Sequence, residues 1–205
     1  MKQMVKPNDP VLLKTAEEIP QNEINSSETK ELIEEILDAS FGRRKNREKP
    51  TVVGLAAPQI GISKRIIAVD IGADKKGGLS KLKIYINPEI TWRSEDMEEW
   101  CEGCWSTDRV AGAVSRNKKI KVRAYITDGK KIEEEYEGYV ARIFQHEIDH
   151  LNGSEFVNRI TDPDKLHWVE EDEWVKYKNE EGWRSWPKKC PREKWKKIKG
   201  INPSV

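Results

Sequence analysis

Two histidines stand four residues apart in His146-Glu147-Ile148-Asp149-His150, inside a stretch with helical apolar spacing. Residues at i and i+4 share one helical face, so both imidazoles can converge on one metal ion. Glu147 follows the first histidine and is placed to take a proton from a metal-activated water. The bland alternative is a surface helix that carries two histidines by chance. Against it, the chain has three histidines and two of them fill this pattern. A third ligand is required. Glu155, Asp162, Asp164 and His167 stand downstream, as a zincin-type peptidase would need. Cys104, in Glu102-Gly103-Cys104-Trp105-Ser106, is the stronger candidate, because a thiolate is a soft, tight ligand for zinc or ferrous iron. Cys104, His146 and His150 together leave a fourth position for water, as catalytic sites do.

A third segment, Gly54-Leu55-Ala56-Ala57-Pro58-Gln59, reads by itself as a tight loop packed in the core. Taken with the other two it is more informative. Gly54 to Gln59, Glu102 to Ser106 and Gln145 to His150 resemble, in order and rough spacing, the three motifs of the peptide deformylase family. The resemblance covers about Asp9 to Arg159. It implies that Cys104, His146 and His150 hold one divalent metal ion. Ferrous iron is the native ion it implies, with zinc or nickel as ions that purified protein can carry. Glu147 is then general base and afterwards general acid. The Gln59 side chain and the Trp105 backbone N–H stabilise an oxyanion, and substrate backbone runs near Gly54 and Trp105. The implied reaction removes the formyl group from the N-terminal formyl-methionine of nascent polypeptides and releases formate. The residue chemistry agrees: attack on a formyl carbon creates a tetrahedral oxyanion that needs preorganised donors, and Gln59 offers an amide N–H. Tyr139 and Ile143 lie seven and three residues before His146 on the same helical face, and we expect them to line the methionine pocket.

The chain departs from the family's usual pattern at four places. Val52 stands where a glycine opens the first motif. Trp105 replaces a leucine, Thr107-Asp108 replaces Val/Ile-Pro, and Ala111 replaces a basic or aromatic residue. The Trp105 role is a backbone one and survives the change. A side-chain contact to substrate backbone is absent at Ala111. Arg109 stands close to these residues, with no assigned place. Two rival readings need other geometry. Cys101 and Cys104 could close a structural Cys₂His₂ zinc site with the histidines, but in extended chain positions three apart face opposite sides. A papain-like role for Cys104 leaves the spacing of Glu147 and His150 unexplained.

The elements that must position these residues are partly readable. Asn25 to Ser27 can cap a first helix, with Glu28 as capping-box partner to Asn25. Its apolar face is Leu32, Ile33, Ile36 and Leu37, and Gly42 stops it. Arg43 to Lys49 reads as a charged exposed loop. Arg65 to Ile71 and Leu82 to Ile86 read as strands joined through Gly77-Gly78. Lys119 to Ile126 alternates apolar and charged residues, and Asp128-Gly129 predicts an antiparallel return over Lys131 to Tyr136. The helix that carries both histidines is expected from about Gly138 through Leu151, stopped by Asn152-Gly153. The fold class is α+β: antiparallel sheets packed around a central metal-binding helix, followed by a Trp-rich, charged C-terminal extension. We expect a catalytic domain over 1–160 and the extension over 161–205.

Composition limits the rest. The 205 residues hold 37 basic and 36 acidic side chains, so whole-chain charge does not point to DNA. No apolar run approaches a membrane span, and no secretory leader is readable, so no membrane partner is expected. Three cysteines, Cys101, Cys104 and Cys190, argue against a disulfide scaffold and for the cytoplasm. Glu95, Asp96, Glu98, Glu99 and Glu102 read as a solvated acidic face or as the place where the basic tail docks. From Gly182 onward Arg184, Lys188, Lys189, Arg192, Lys194, Lys196, Lys197 and Lys199 face a single acid, Glu193. With interleaved tryptophans this tail suits a ribosome contact through RNA. The preferred alternative packs the tryptophans on the domain.

Overall fold

The computed structural model describes residues 3–42, 51–75 and 80–201. The charged loop expected over Arg43 to Lys49 and the Gly77-Gly78 connection lie outside the described residues. Helix α1 spans Ser27–Phe41. Its cap is Ser26, whose side chain accepts the Thr29 N–H, rather than an Asn25–Glu28 box. Ile33 and Ile36 bury its inner face, and Gly42 ends it at φ +63°, a conformation that favours glycine.

Among the described residues eight strands follow the helix: β1 (Gly54–Ala56), β2 (Ile66–Asp70), β3 (Leu82–Arg93), β4 (Met97–Gly103), β5 (Val110–Asn117), β6 (Lys119–Tyr125), β7 (Lys131–Glu137) and β8 (Leu166–Trp168). They form a five-stranded sheet in the order β1-β2-β3-β6-β7 and a three-stranded sheet in the order β4-β5-β8. Every pairing is antiparallel. β6 and β7 pair as the Asp128-Gly129 turn predicts, and Ile120, Val122 and Ala124 are buried on one face. β3 runs seven residues past the expected Ile86. A register shift between Ile86 and Glu89, with Asn87 at φ +50°, breaks the alternation that would have extended the reading.

Helix α2 spans Gly138–Leu151, the predicted bounds, and Gly153 follows at φ +66°. Its Ala141, Ile143, Phe144, Ile148 and Leu151 join a core with residues of β1, β2, β3 and β6. Its other side meets β5. The helix therefore touches both sheets.

The segment beyond residue 160 returns to the small sheet. β8 pairs with β5, and helices α3 (Trp174–Lys178) and α4 (Arg192–Ile198) follow. Tyr177, Trp183 and Trp186 are buried on a shelf of small side chains, Cys101, Ala111 and Ala113. Trp195 packs instead with Phe156 and Val157, just past α2. Among the described residues no helix is long and apolar enough to cross a membrane.

Candidate metal centre

α2 delivers His146 and His150 one turn apart, and the end of β4 brings Cys104 to them. The candidate ligand atoms of the three residues lie within 4.8 Å of one another. Cys104 Sγ is 3.4 Å from His150 Nε2. Zinc bonds of about 2.0–2.3 Å in a tetrahedral site leave neighbouring ligand atoms about 3.5 Å apart, so the donor set fits a divalent ion. Burial works against a charged His146, yet hydrogen bonding to Cys104 and Glu102 raises its pKa well above the ordinary value. His150 is held well below the ordinary value by burial and by the charge of His146.

Glu102 overturns the reading of a solvated acidic face at that position. It is 7% exposed. Its Oε2 is 2.9 Å from Nδ1 of His146, and both carboxylate oxygens accept from Arg116 at 2.7 Å. Arg142 donates to Oε1 as well, at 2.7 Å. Burial pushes the Glu102 pKa upward, but Arg116 and His146 outweigh it and hold the group well below the carboxylate range. The reason is alternation. Glu102 faces α2 from β4, whereas Cys101 faces the opposite side, under the tail tryptophans. The other acids of the run are more open: Glu98 pairs with Lys75, and Glu99 pairs with Lys165 and lies 3.8 Å from Arg184. Asp149 completes the network, accepting from Arg116 and Arg159. Cys101 therefore stands apart from Cys104 and the histidines, as the extended-chain argument expects.

Gln59 sits in a 3-10 turn after β1. Its Oε1 accepts the Ala56 N–H at 2.8 Å, which turns its Nε2 toward Cys104 Sγ at 3.1 Å and Ser106 Oγ at 3.3 Å. Gly54 has no room for a side chain: a Cβ there would overlap Glu147 Oε1 and approach Ile143 Cγ2 to 2.7 Å. Glu147 is buried, and its Oε2 has no hydrogen-bond partner among the described residues. Burial raises its pKa to about 7; a cation in the cluster would pull it down. Glu147 also neighbours Ile143, while Tyr139 is half-buried one turn earlier. The Trp105 indole is 71% exposed.

The downstream candidates for a third ligand are otherwise engaged or open to solvent. Glu155 is ion-paired with Lys199 at 2.9 Å, both nearly fully buried. His167 bonds Tyr177 and the Asp164 carbonyl, and Asp162 and Asp164 are exposed. Arg109 pairs with Glu170 of the tail. Ala111 is fully buried beneath the tail, which accounts for its small side chain. Arg116 and Arg142 were not anticipated. Arg142, four residues before His146 on the same helical face, carried the only spacing signal.

The family model for polypeptide deformylases matches residues 1–166. The peptide deformylase of Thermotoga maritima is 39% identical over 158 residues, covering 77% of this chain and 86% of its own. Peptide deformylase 2 of Rickettsia conorii is 42% identical over 146 residues, covering 67% and 72%. The crystal structure of the Thermotoga maritima enzyme superposes with a TM-score of 0.67 at 36% identity, over 79% of this chain and 99% of that one. A Met-Ala-Ser-bound class I type b peptide deformylase from Acinetobacter baumannii gives 0.68 at 34% identity, over 77% and 96%.

Proposed function

The chain belongs to the peptide deformylase family, and from that premise we propose how its own residues carry out the family's reaction. It is a hydrolase that removes the N-formyl group from the formyl-methionine of nascent polypeptides and releases formate. The family uses a metal ion. In our reading Cys104, just past β4, and His146 and His150 of helix α2 hold it, with ferrous iron as the native ion and zinc or nickel as substitutes. When bound, the ion supplies a Lewis acid that polarises the formyl carbonyl and acidifies water.

The remaining work falls to side chains. Glu147 accepts the proton of the attacking water and later delivers it to the amine nitrogen as the C–N bond breaks. Gln59 Nε2 and the Trp105 backbone N–H donate to the oxyanion on the former formyl carbon. Glu102 fixes the orientation of His146. Substrate backbone runs past Gly54 and Trp105, with the methionine side chain toward Ile143 and Tyr139. We assign catalysis to 1–160 and treat 161–205 as an extension. The cytoplasm is the compartment this substrate implies. Exposed basic residues of the extension offer a ribosome contact, from which buried Lys199 is withdrawn.

One observation carries this reading: three soft and borderline ligand atoms meet within 4.8 Å, with Gln59 Nε2 3.1 Å from Cys104 Sγ and buried Glu147 next in sequence to His146. Anaerobically purified protein should release formate from formyl-Met-Ala-Ser. Metal-replete protein that releases none would overturn the assignment of these residues.

A further inference from the structure

Two strands border the metal cluster, and each is the edge of its sheet: β1, which begins at Gly54, and β4, which ends at Gly103. An extended peptide can add its backbone to such an edge, and its side chains then point alternately to the two faces. The faces of β4 are well separated. Glu102 marks the inner one, against His146 and Arg142 of α2. Cys101 and Gly103 mark the outer one, where the extension packs. With the methionine side chain directed to Ile143, as proposed above, the next side chain points to the outer face.

That face holds Trp174, packed at Gly103, the residue before Cys104. No Cβ fits on Gly103, because the six-membered ring of Trp174 already fills the space. Gly103 itself remains exposed, and Trp174 is only half-buried, with Lys178 Nζ 5.2 Å from its ring centroid. Tyr177 braces it edge-on, with centroids 5.6 Å apart at 87°. Two exposed apolar side chains extend the same region of chain: Val175, at 70%, follows Trp174, and Trp105 follows Cys104. Trp174 also lies beyond residue 166, where the family match ends.

We infer that Trp174 is a specificity-determining residue of this deformylase, the wall against which the side chain of the residue after formyl-methionine rests. The inference depends on the methionine placement proposed above. It gives the extension a direct part in substrate choice: a large apolar second residue gains contact with the ring, and glycine gains none.

The test uses metal-loaded, full-length protein and the peptides formyl-Met-Gly-Ser, formyl-Met-Leu-Ser and formyl-Met-Phe-Ser. One aromatic contact is worth about three- to tenfold, so kcat/KM should favour Phe over Gly by that factor, mainly through KM. The products Met-Phe-Ser and Met-Gly-Ser should differ similarly as inhibitors. Trp174→Ala should bring both ratios close to one, and Trp174→Phe should keep part of them. Each ratio is taken within one preparation, so a partly unfolded variant does not distort it. No preference in the parent protein, or an unchanged ratio in Trp174→Ala, overturns the inference. Ile143→Asp separates the two readings. It should lower kcat/KM for all three peptides while metal is retained. If it does, and Trp174→Ala changes no ratio, only the role of Trp174 fails. If Ile143→Asp changes nothing, the methionine placement fails and the inference falls with it.

Discussion

Glu102 Oε2 lies 2.9 Å from His146 Nδ1, while Arg116 grips both oxygens of the same carboxylate. The imidazole therefore turns its other nitrogen toward Cys104 and His150. Glu102→Gln keeps the shape but surrenders the charge. It should weaken metal affinity by about 10- to 100-fold, the usual cost of losing a carboxylate behind a ligating histidine. Competition with a chromogenic chelator measures this. An unchanged dissociation constant would make the contact purely architectural.

The two cysteines of the Cys101-Glu102-Gly103-Cys104 segment should behave differently. Cys104→Ser should lose tightly bound metal, because a neutral hydroxyl is a poor ligand for a soft or borderline ion. Cys101→Ser should retain both metal and activity, since Cys101 faces Tyr177, Trp183 and Trp186. Equal metal loss in both variants, read by elemental analysis, would restore the closed four-ligand site.

Glu147→Gln should bind metal normally and slow turnover by about a hundred- to ten-thousandfold, the range expected when a general base is removed. Gly54 abuts this side chain, so the amide occupies the same space. Near-parental kcat in the metal-loaded variant would remove Glu147 from the reaction.

Truncation after Asp162 should lower Tm sharply, because it uncovers Cys101, Ala111 and Ala113 and removes β8 from the sheet. Trp183→Ala alone should cost about 3–5 kcal/mol, a fall in Tm of roughly 10 °C. Any ribosome contact is a separate matter of salt: association through exposed lysines should weaken steeply between about 50 and 200 mM salt. An unchanged Tm in the truncated protein, with salt-sensitive ribosome binding lost, would reverse the weight given to packing.

Local chemistry was legible in the sequence, and distant pairing was not. α2 could be bounded because its apolar face and the Asn152-Gly153 stop act within a few residues. The β6–β7 hairpin followed from Asp128-Gly129 for the same reason. Cys104, His146 and His150 were found through their types and spacing. Glu102 looked solvated because its neighbours are acidic. Its partners Arg116, Arg142 and His146 lie 14, 40 and 44 positions away. β8 has three residues and is held by distant chain on both sides, by β5 and by a bridge from His167 to Lys189. In sequence the small side chain of Ala111 reads as a lost contact, whereas in the structure the tail lies on it.

The late return of the chain has a consequence in time. Lys199 reaches back to Glu155, and the tryptophans cover a sheet whose first two strands are finished at Asn117. As the protein is synthesised, those strands have a bare outer face and an unpaired β5 edge until β8 and then the tryptophans have been added, some 50 to 70 residues later. At about 5–20 residues per second this lasts roughly three to fourteen seconds. Exposed strand edges invite association with other chains. An enzyme that works on unfinished proteins thus passes through an unfinished state of its own, and that interval is when it is most open to aggregation or to a chaperone.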